Sequence, residues 1–245
     1  MLAPPGWMVL PAALVIGSFL GVVVRRLPAG RALALARSQC ESCGHVLSPR
    51  ELVPLFSFVL QRGRCLHCEV RIGWFHPAIE LASLAVALAA FTLAPGGWVL
   101  WADAALGWAL LTAAWIDIER YRLPDVITLP LLLAGLVVTW MRAPWMIYDH
   151  ALAAALGYAV FRLLDTLYWR LRGRHGLGQG DAKLLAAAGA WTGLAAVPTI
   201  VLAAGLLGLG MALPLAARRG QGGQTMIPFG PALALACFGM VLLGS

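Results

Sequence analysis

Long apolar runs, joined by short polar segments, occupy most of the chain. A helix that crosses a membrane needs about 20 residues, within a range of about 17 to 25, and several runs are shorter. Their number and spacing still predict an all-α polytopic membrane protein with about eight transmembrane helices. Gly193 and Pro198 leave open whether the sixth and seventh runs are two helices or one kinked helix. The runs are Trp7–Val24, Pro77–Leu93, Trp98–Ile116, Val126–Trp140, Trp145–Trp169, Leu184–Ala195, Ala196–Ala217 and Pro231–Leu243.

Composition and charge support a membrane protein. Of the 245 residues, 61% are hydrophobic and 12% are charged, whereas about 25% are charged in soluble domains. The net charge of +7 would suit a nucleic-acid-binding protein. The arginines, however, concentrate in alternate loops of the eight-helix arrangement, as the positive-inside rule requires. We therefore assign these loops to the cytoplasmic face and expect a lipid bilayer, and no nucleic acid, as a partner. The arginines in question are Arg25, Arg26, Arg31, Arg37, Arg50, Arg62, Arg64, Arg71, Arg120, Arg122, Arg170, Arg172, Arg174, Arg218 and Arg219.

The first apolar run has the charge pattern of an anchor rather than of a cleaved signal peptide. No Lys or Arg precedes it, and Arg25 and Arg26 follow it, which predicts an N-terminus outside the cell. The chain then divides into a first transmembrane helix (1–25), a cytoplasmic four-cysteine domain (26–76) and a membrane domain (77–245).

Two Cys-x-x-Cys pairs lie in the one sizeable polar segment. The pairs are Cys40 with Cys43 and Cys65 with Cys68. This spacing is typical of a tetrahedral zinc site in which the four cysteine sulfurs are the ligands. Disulfides are the alternative, but a cytoplasmic face is reducing. His67 could replace one cysteine, although four thiolates already suffice. We interpret the segment as a small zinc-stabilised cytoplasmic domain inserted after the first helix, with structural Zn²⁺.

Two aspartates stand out because local structure does not explain them. Asp181 lies in a glycine-rich turn between apolar runs, where a charge beside lipid needs a partner or a function. Asp117 ends the third helix, where the helix dipole opposes a carboxylate. The topology brings both to the same membrane boundary. Asp125 is different, since its position after Pro124 is that of a helix N-cap.

A pair of facing carboxylates predicts acid–base chemistry. The two cannot both ionise cheaply, so they share a proton, and one can activate water while the other protonates a carbonyl oxygen or leaving amine. That is aspartyl peptide hydrolysis. Gly178 and Gly180 would leave room for an extended substrate backbone. The alternative is a transporter or scaffold in which Asp117 and Asp181 form a proton or cation site.

Two further carboxylates lie within the predicted helices. Glu80 either compensates a helix N-terminus or faces the active region. Asp165 lies within or near the membrane and is expected to pair with Arg162 or Arg170 along its helix.

Several motifs, in order along the chain, resemble those of the bacterial type IV prepilin peptidases, which are bifunctional leader peptidases and N-methyltransferases of the GxGD aspartyl protease class. Each motif alone is weakly specific, but the resemblance runs nearly end to end. The motifs are Gly17–Pro28, the two cysteine pairs with Leu52-Val53-Pro54 between them, Asp117 with Leu123-Pro124-Asp125, Gly178-Gln179-Gly180-Asp181 followed by Lys183, and Ile227-Pro228-Phe229-Gly230-Pro231.

The resemblance implies a multi-pass protein of the bacterial inner membrane that cuts prepilins or pseudopilins after a short basic leader, for type IV pili or type II secretion. S-adenosylmethionine would then methylate the new N-terminal residue, an activity linked with the cysteine domain. The family commonly has Asn at the position of Gly21, so methylation is the activity that this departure would affect. The catalytic pair would be Asp117 and Asp181, supported by Gly178, Gly180, Asp125, Lys183 and Pro228, and residues 77–245 would form the membrane aspartyl peptidase domain.

Overall fold

The chain is helical along most of its length in the computed structural model. The structure describes residues 4–33, 37–174, 176–219 and 228–244, with residues 213–219 described by their backbone only. Within these ranges it has no β-strand, only isolated bridges between Gln39 and Val46 and between Arg64 and Arg71. The α-helices there are α1 (Val9–Arg26), α2 (Phe56–Leu60), α3 (Phe75–Leu93), α4 (Gly97–Arg120), α5 (Asp125–Arg142), α6 (Ile147–Arg172), α7 (Gln179–Thr192), α8 (Val197–Arg219) and α9 (Gly230–Gly244).

Eight of these helices correspond to the predicted apolar runs. In the described part of the chain, six of them, or the helical segments that contain them, are long and apolar enough to cross a membrane. These are α1, α3, α4, α5, α6 and α8. The other two, α7 and α9, have 14 and 15 residues, which gives lengths of about 21 Å and 23 Å against a hydrocarbon core of about 30 Å. The all-α membrane fold is therefore confirmed, with six spans by length.

The sixth and seventh apolar runs are two helices joined by a turn. Gly193 follows the last residue of α7 and has a φ of 76°, a conformation that glycine adopts without strain. The N–H of Leu194 donates to the carboxylate of Asp149 at 2.9 Å. A short 3₁₀ helix, Leu194–Ala196, then leads into α8.

The chain divides into two compact units, Met1–Trp108 and Ala109–Ser245, with the boundary inside α4. In the first unit, α1 packs closely against α3. A Cβ added at Gly17 would lie 2.8 Å from Cβ of Ser83 and 2.9 Å from Cα of Glu80. The hydroxyl of Ser83 donates to the carbonyl of Ala13 at 2.7 Å. Small residues thus allow the two membrane helices to approach, as is usual in lipid.

In the second unit, α7 is the central helix and packs against α5, α6 and α9. Its alanine-rich middle is almost wholly buried. A Cβ added at Gly189 would lie 2.7 Å from the backbone of Ala153 in α6, and one added at Gly135 in α5 would lie 2.5 Å from the Trp191 ring. A short helix can occupy this position because other helices, and not lipid, surround it. The first turn of this central helix carries Asp181.

Candidate active site and metal centre

Asp117 lies in the last turn of α4 and is buried, with 6% of its surface exposed. Its Oδ2 accepts a hydrogen bond from the backbone N–H of Gly230 at 3.0 Å. Gly230 is the first residue of α9, and the first N–H groups of a helix have no partner within that helix. The N-terminus of α9 therefore compensates for the unfavourable C-terminus of α4 and stabilises the carboxylate.

Asp181 is the third residue of α7 and is 8% exposed. The sequence predicts Asp181 in a turn before a helix that begins near Leu184, and this prediction is wrong, since α7 begins at Gln179. Packing of the helix in the core of the second unit outweighs the low helix propensity of glycine. Oδ2 of Asp181 accepts the N–H of Gly178 at 3.3 Å, and the N-terminus of α7 favours its negative charge.

The two carboxylates interact electrostatically. Asp181 lies outside the six membrane-spanning helices. Burial and, next, the charge of Asp117 raise the pKa of Asp181 to about 7, while the N–H of Gly178 acts in the opposite direction. A carboxylic acid that keeps its proton near neutral pH beside a second carboxylate is the arrangement that general acid–base catalysis requires.

The glycines before Asp181 have packing partners within the protein. A Cβ added at Gly180 would lie 2.6 Å from Cβ of Leu123, in the segment between α4 and α5, and one added at Gly178 would lie 3.0 Å from Oδ2 of Asp181. These contacts give a reason for the two glycines that the sequence analysis did not foresee, beside the proposed room for a substrate strand. The absence of a side chain at Gly180 lets the first turn of α7 lie against Leu123, in the segment that follows α4.

Asp125 and Lys183 form an ion pair, with Nζ 2.5 Å from Oδ1. The interpretation of Asp125 as an N-cap was wrong, because Pro124 occupies the cap position of α5 and Asp125 is the first helical residue. The lysine lies two residues after Asp181, so the pair joins the start of α5 to the start of α7. The Asp125 side chain is 54% exposed, and exposed ion pairs contribute only about 0–1 kcal/mol to stability.

Pro228 is half-buried and lies two residues before Gly230. The motif that contains Pro228 therefore contacts Asp117 through the backbone N–H of Gly230. The supporting role predicted for Pro228 itself stays a prediction. Ile227 lies outside the described residues.

Both cysteine pairs lie on backbone turns of the same design. In the first, the N–H of Cys40 donates to the carbonyl of His45 at 2.8 Å, and the N–H of Gly44 donates to the carbonyl of Cys40 at 3.0 Å. In the second, the N–H of Cys65 donates to the carbonyl of Val70 at 3.0 Å. Local spacing alone therefore specifies two similar turns, each presenting two sulfurs.

The four sulfurs of Cys40, Cys43, Cys65 and Cys68 lie within 4.8 Å of one another. The Cys40 and Cys68 sulfurs are 3.8 Å apart, and a tetrahedral site with zinc–sulfur bonds of about 2.3 Å has sulfurs about 3.8 Å apart. The N–H groups of Cys43 and Ser42 lower the pKa of Cys40 to about 6, which favours the thiolate that metals bind. All four are free thiols, so disulfides find no support and the cluster fits a zinc ion.

Glu80 connects the cysteine segment to α3. Its Oε2 accepts the backbone N–H of Leu55 at 2.8 Å, and Leu55 has a φ of 58°, which is uncommon for a residue with a Cβ. Neither reading of Glu80 from the sequence included this contact, which fixes the entry to α2 within the first unit.

Comparison with known proteins identifies the family of the chain. Residues 12–94 match the bacterial peptidase A24 N-terminal domain, and residues 104–213 match the type IV leader peptidase family. The prepilin leader peptidase/N-methyltransferase of Aeromonas hydrophila is 37% identical over 260 residues, covering 95% of this chain and 88% of the relative. The chain belongs to the type IV leader peptidase family.

Two other members of the type IV leader peptidase family, both named prepilin leader peptidase/N-methyltransferase, extend the match. The one from Burkholderia pseudomallei is 40% identical over 90% of this chain and 80% of the relative. The one from Pseudomonas aeruginosa is 34% identical over 94% of this chain and 88% of the relative. No solved structure matches the chain. Membership in a family of leader peptidases does not favour the alternative in which Asp117 and Asp181 form a proton or cation site of a transporter or scaffold.

Three residues around the candidate site of this type IV leader peptidase family member make contacts that the sequence did not predict. Gly230 binds Asp117, Leu123 packs on Gly180, and Asp165 accepts two backbone N–H groups of the segment before Gly178. The only sequence signal for Gly230 was its place in a motif. For Leu123 and Asp165, partners lie on other elements, and neither periodicity nor spacing identifies them.

Proposed function

We propose that this protein cleaves the leader peptide of type IV prepilins or pseudopilins with Asp117 and Asp181 as its catalytic pair. The observation that carries the proposal is the coupling of two buried carboxylates from different helices, in a family whose named relatives are prepilin leader peptidases. One carboxylate, ionised, takes a proton from water, whose oxygen attacks the scissile carbonyl carbon. The other gives its proton to the carbonyl oxygen. When the carbon–nitrogen bond breaks, the carboxyl group that took the proton from water gives it to the leaving amine, and the other carboxylate takes back a hydroxyl proton as the new carboxyl group forms.

The membrane setting of the reaction follows from the arginine pattern. The loops that carry most of the arginines would face the cytoplasm. This orientation supports an N-terminus outside and an aspartate pair at the cytoplasmic side of the bacterial inner membrane. Gly178, Gly180, Asp125, Lys183 and Pro228 would support the pair rather than react.

Cleavage of a purified prepilin in detergent tests the function, the reaction and the site together. Wild type should release the leader, and Asp117→Ala and Asp181→Ala should not. Asp149→Asn is the matched control, because it changes a carboxylate of the same unit that caps the backbone of Leu194, and it should cut at the wild-type rate. Cleavage by either active-site variant at the wild-type rate would refute the catalytic pair.

We also propose that the four cysteines hold one structural Zn²⁺. The arrangement of the sulfurs supports this ion, since four thiolates complete a tetrahedral shell and leave no open position for catalysis. The ion would supply folding free energy to the cysteine segment and no chemical step.

N-methylation of the cleaved pilin is proposed from the names of the relatives. S-adenosylmethionine would supply a methyl group to the newly exposed amine. Among the described residues we assign none to this donor. At Gly21 an added Cβ would lie 3.2 Å from Nδ1 of His76, so the side chain of His76 occupies the space where the family commonly has an amide. Mass spectrometry of the pilin N-terminus after incubation with labelled S-adenosylmethionine tests the activity, and an unmethylated, fully cleaved product would exclude it.

A further inference from the structure

Asp165 is a buried carboxylate in α6 whose partners include backbone groups of the segment that leads into α7. It is 3% exposed. Its Oδ1 accepts the N–H of Gly176 at 3.1 Å and the N–H of Leu177 at 3.2 Å. A buried carboxylate in a membrane helix is costly unless hydrogen bonds or charges compensate it. Two N–H groups directed at one oxygen provide that compensation.

The charge partner predicted from the sequence makes a weaker contact. Nη1 of Arg162 lies 3.9 Å from Oδ2 of Asp165, and the arginine side chain is 36% exposed. That separation exceeds the usual hydrogen-bond distance of about 2.7–3.2 Å. The two N–H groups are therefore closer partners of Asp165 than Arg162 is.

The segment bound by Asp165 is the one that contacts Asp181. Gly178 follows Leu177 directly, and its N–H donates to Oδ2 of Asp181 at 3.3 Å. The same segment also lies on the ring of Tyr168 in α6, since a Cβ added at Gly176 would be 2.8 Å from that ring. Residues 176–178 are thus attached to α6 at one end and to Asp181 at the other.

We propose that Asp165 is a positioning residue for the peptidase reaction. By holding the N–H groups of Gly176 and Leu177, it keeps the N–H of Gly178 directed at Asp181 and fixes the start of α7. Asp165 acts through the backbone and does not touch the substrate. The proposal rests on the proposed function, because it assigns Asp165 to the reaction of Asp181.

The test compares Asp165→Ala, Asp165→Asn and Arg162→Gln with wild type, using full-length protein in detergent. Asp165→Ala should lower kcat for prepilin cleavage on the order of 10-fold to 100-fold with little change in KM, because small displacements at a reacting group have effects of this size. Asp165→Asn should restore most of the activity, since a carboxamide oxygen can accept the same two N–H groups. Arg162→Gln should resemble wild type.

Hydrogen exchange gives a readout that does not depend on activity. Amides in a peptide spanning residues 171–183 should exchange faster in Asp165→Ala and at the wild-type rate in Asp165→Asn. If wild type leaves the prepilin intact, the proposed function fails, and exchange alone decides whether Asp165 holds the segment. Unchanged exchange in Asp165→Ala, unchanged kcat in that variant when wild type cleaves, or an Asn variant as impaired as the Ala variant would each overturn the proposal.

A second pair of variants covers the case in which Asp165→Ala does not fold. Gly176→Ala displaces the same segment from Tyr168 and should lower kcat and speed exchange in the same peptide. Gly205→Ala in α8, where an added Cβ meets nothing within 4 Å, is its control and should leave both unchanged. Wild-type kcat and exchange in Gly176→Ala would contradict the proposal.

Discussion

The carboxylate of Asp117 and the backbone N–H of Gly230 form a hydrogen bond of 3.0 Å between residues 113 positions apart in the chain. Gly230 has no side chain where the carboxylate lies, since an added Cβ would be 2.7 Å from Oδ2 and 3.1 Å from Cγ of Asp117. A Cβ atom essentially never lies as close as 2.7 Å to another heavy atom, so a side chain at position 230 would displace the carboxylate or α9. The N-terminus of α9 thus helps determine the position of one member of the candidate catalytic pair.

Replacing Gly230 by alanine should therefore reduce leader cleavage. The new methyl group must displace the Asp117 carboxylate or α9, and we expect a loss of kcat on the order of 10-fold or more, because the reacting group moves. The measurement is the initial rate of prepilin cleavage at saturating substrate.

Gly239→Ala is the matched control on the same helix, where an added Cβ meets nothing within 4 Å. It should leave the rate unchanged and stabilise α9 by about 0.5–1 kcal/mol, the usual gain from Gly to Ala in a helix interior. Equal rates for the two variants would contradict a special role for Gly230.

Replacing Gly180 by alanine should also impair cleavage, and the defect should depend on Leu123. The added methyl group would lie 2.6 Å from Cβ of Leu123. Leu123→Ala keeps that Cβ and should not rescue Gly180→Ala, whereas Leu123→Gly removes it and should. A double-mutant cycle on kcat measures the coupling between the two positions. No coupling between Gly180→Ala and Leu123→Gly would show that the glycine serves another purpose, such as room for substrate.

The elements that sequence reasoning placed well are those whose structure is local. The two cysteine turns follow from the spacing within each pair, and most of the helices follow from uninterrupted apolar runs. The start of α7 was misplaced because Gly178 and Gly180 lower local helix propensity, while burial against α5, α6 and α9 imposes the helix. The local sequence pattern around Gly178 and Gly180 does not reveal that α7 is buried by these other helices.

The contacts that build the candidate site are long-range, which is why sequence reasoning identified the aspartates and not their partners. Asp117 and Asp181 were found because a carboxylate at a helix C-terminus or beside lipid needs an explanation. Asp125 had a local explanation as an N-cap, which was wrong because Pro124 occupies the cap position, and the partner of its carboxylate is Lys183, 58 residues later. Asp165 accepts the N–H of Gly176, 11 residues later in the chain. The chain turns between the two residues, and the helical periodicity of α6 does not predict this contact.

Cleavage should fall as the pH rises through about 7. Burial and the neighbouring charge of Asp117 raise the pKa of Asp181 to about 7, so the proton of the pair is retained below that value and lost above it. Because the mechanism needs one protonated and one ionised carboxylate, kcat/KM should be higher at about pH 6 than at about pH 9. A pH–rate profile measured over this range checks the prediction.

Loss of activity at high pH must be separated from unfolding. Protein held at about pH 9 and returned to about pH 6 should recover its full rate, since deprotonation is reversible. A profile that stays flat or rises to about pH 9 would exclude a protonated Asp181 as the general acid.

Removing the metal should affect the cysteine segment specifically. We expect one Zn²⁺ per chain by elemental analysis, because four thiolates fill one tetrahedral shell. Cys40→Ser and Cys65→Ser should each lower the zinc content, since each removes a sulfur from the cluster. Cys237→Ser is the matched control, because Cys237 is a buried free thiol in α9, and it should keep the full complement. Wild-type protein that contains no zinc would end the assignment.

Limited trypsin digestion then tests what the ion does. In its described residues the cysteine segment has few elements before α3, two short 3₁₀ helices (Leu27–Ala29 and Pro49–Leu52) and the five-residue α2. Its folding free energy should therefore come largely from the metal. After chelation, cleavage at Arg50, Arg62, Arg64 and Arg71 should accelerate, whereas the sites at Arg120 and Arg122 should be cut at an unchanged rate. The two groups are separable because the cysteines belong to the first compact unit and Arg120 and Arg122 to the second. Equal acceleration at both groups would indicate general unfolding instead of loss of a local structural ion.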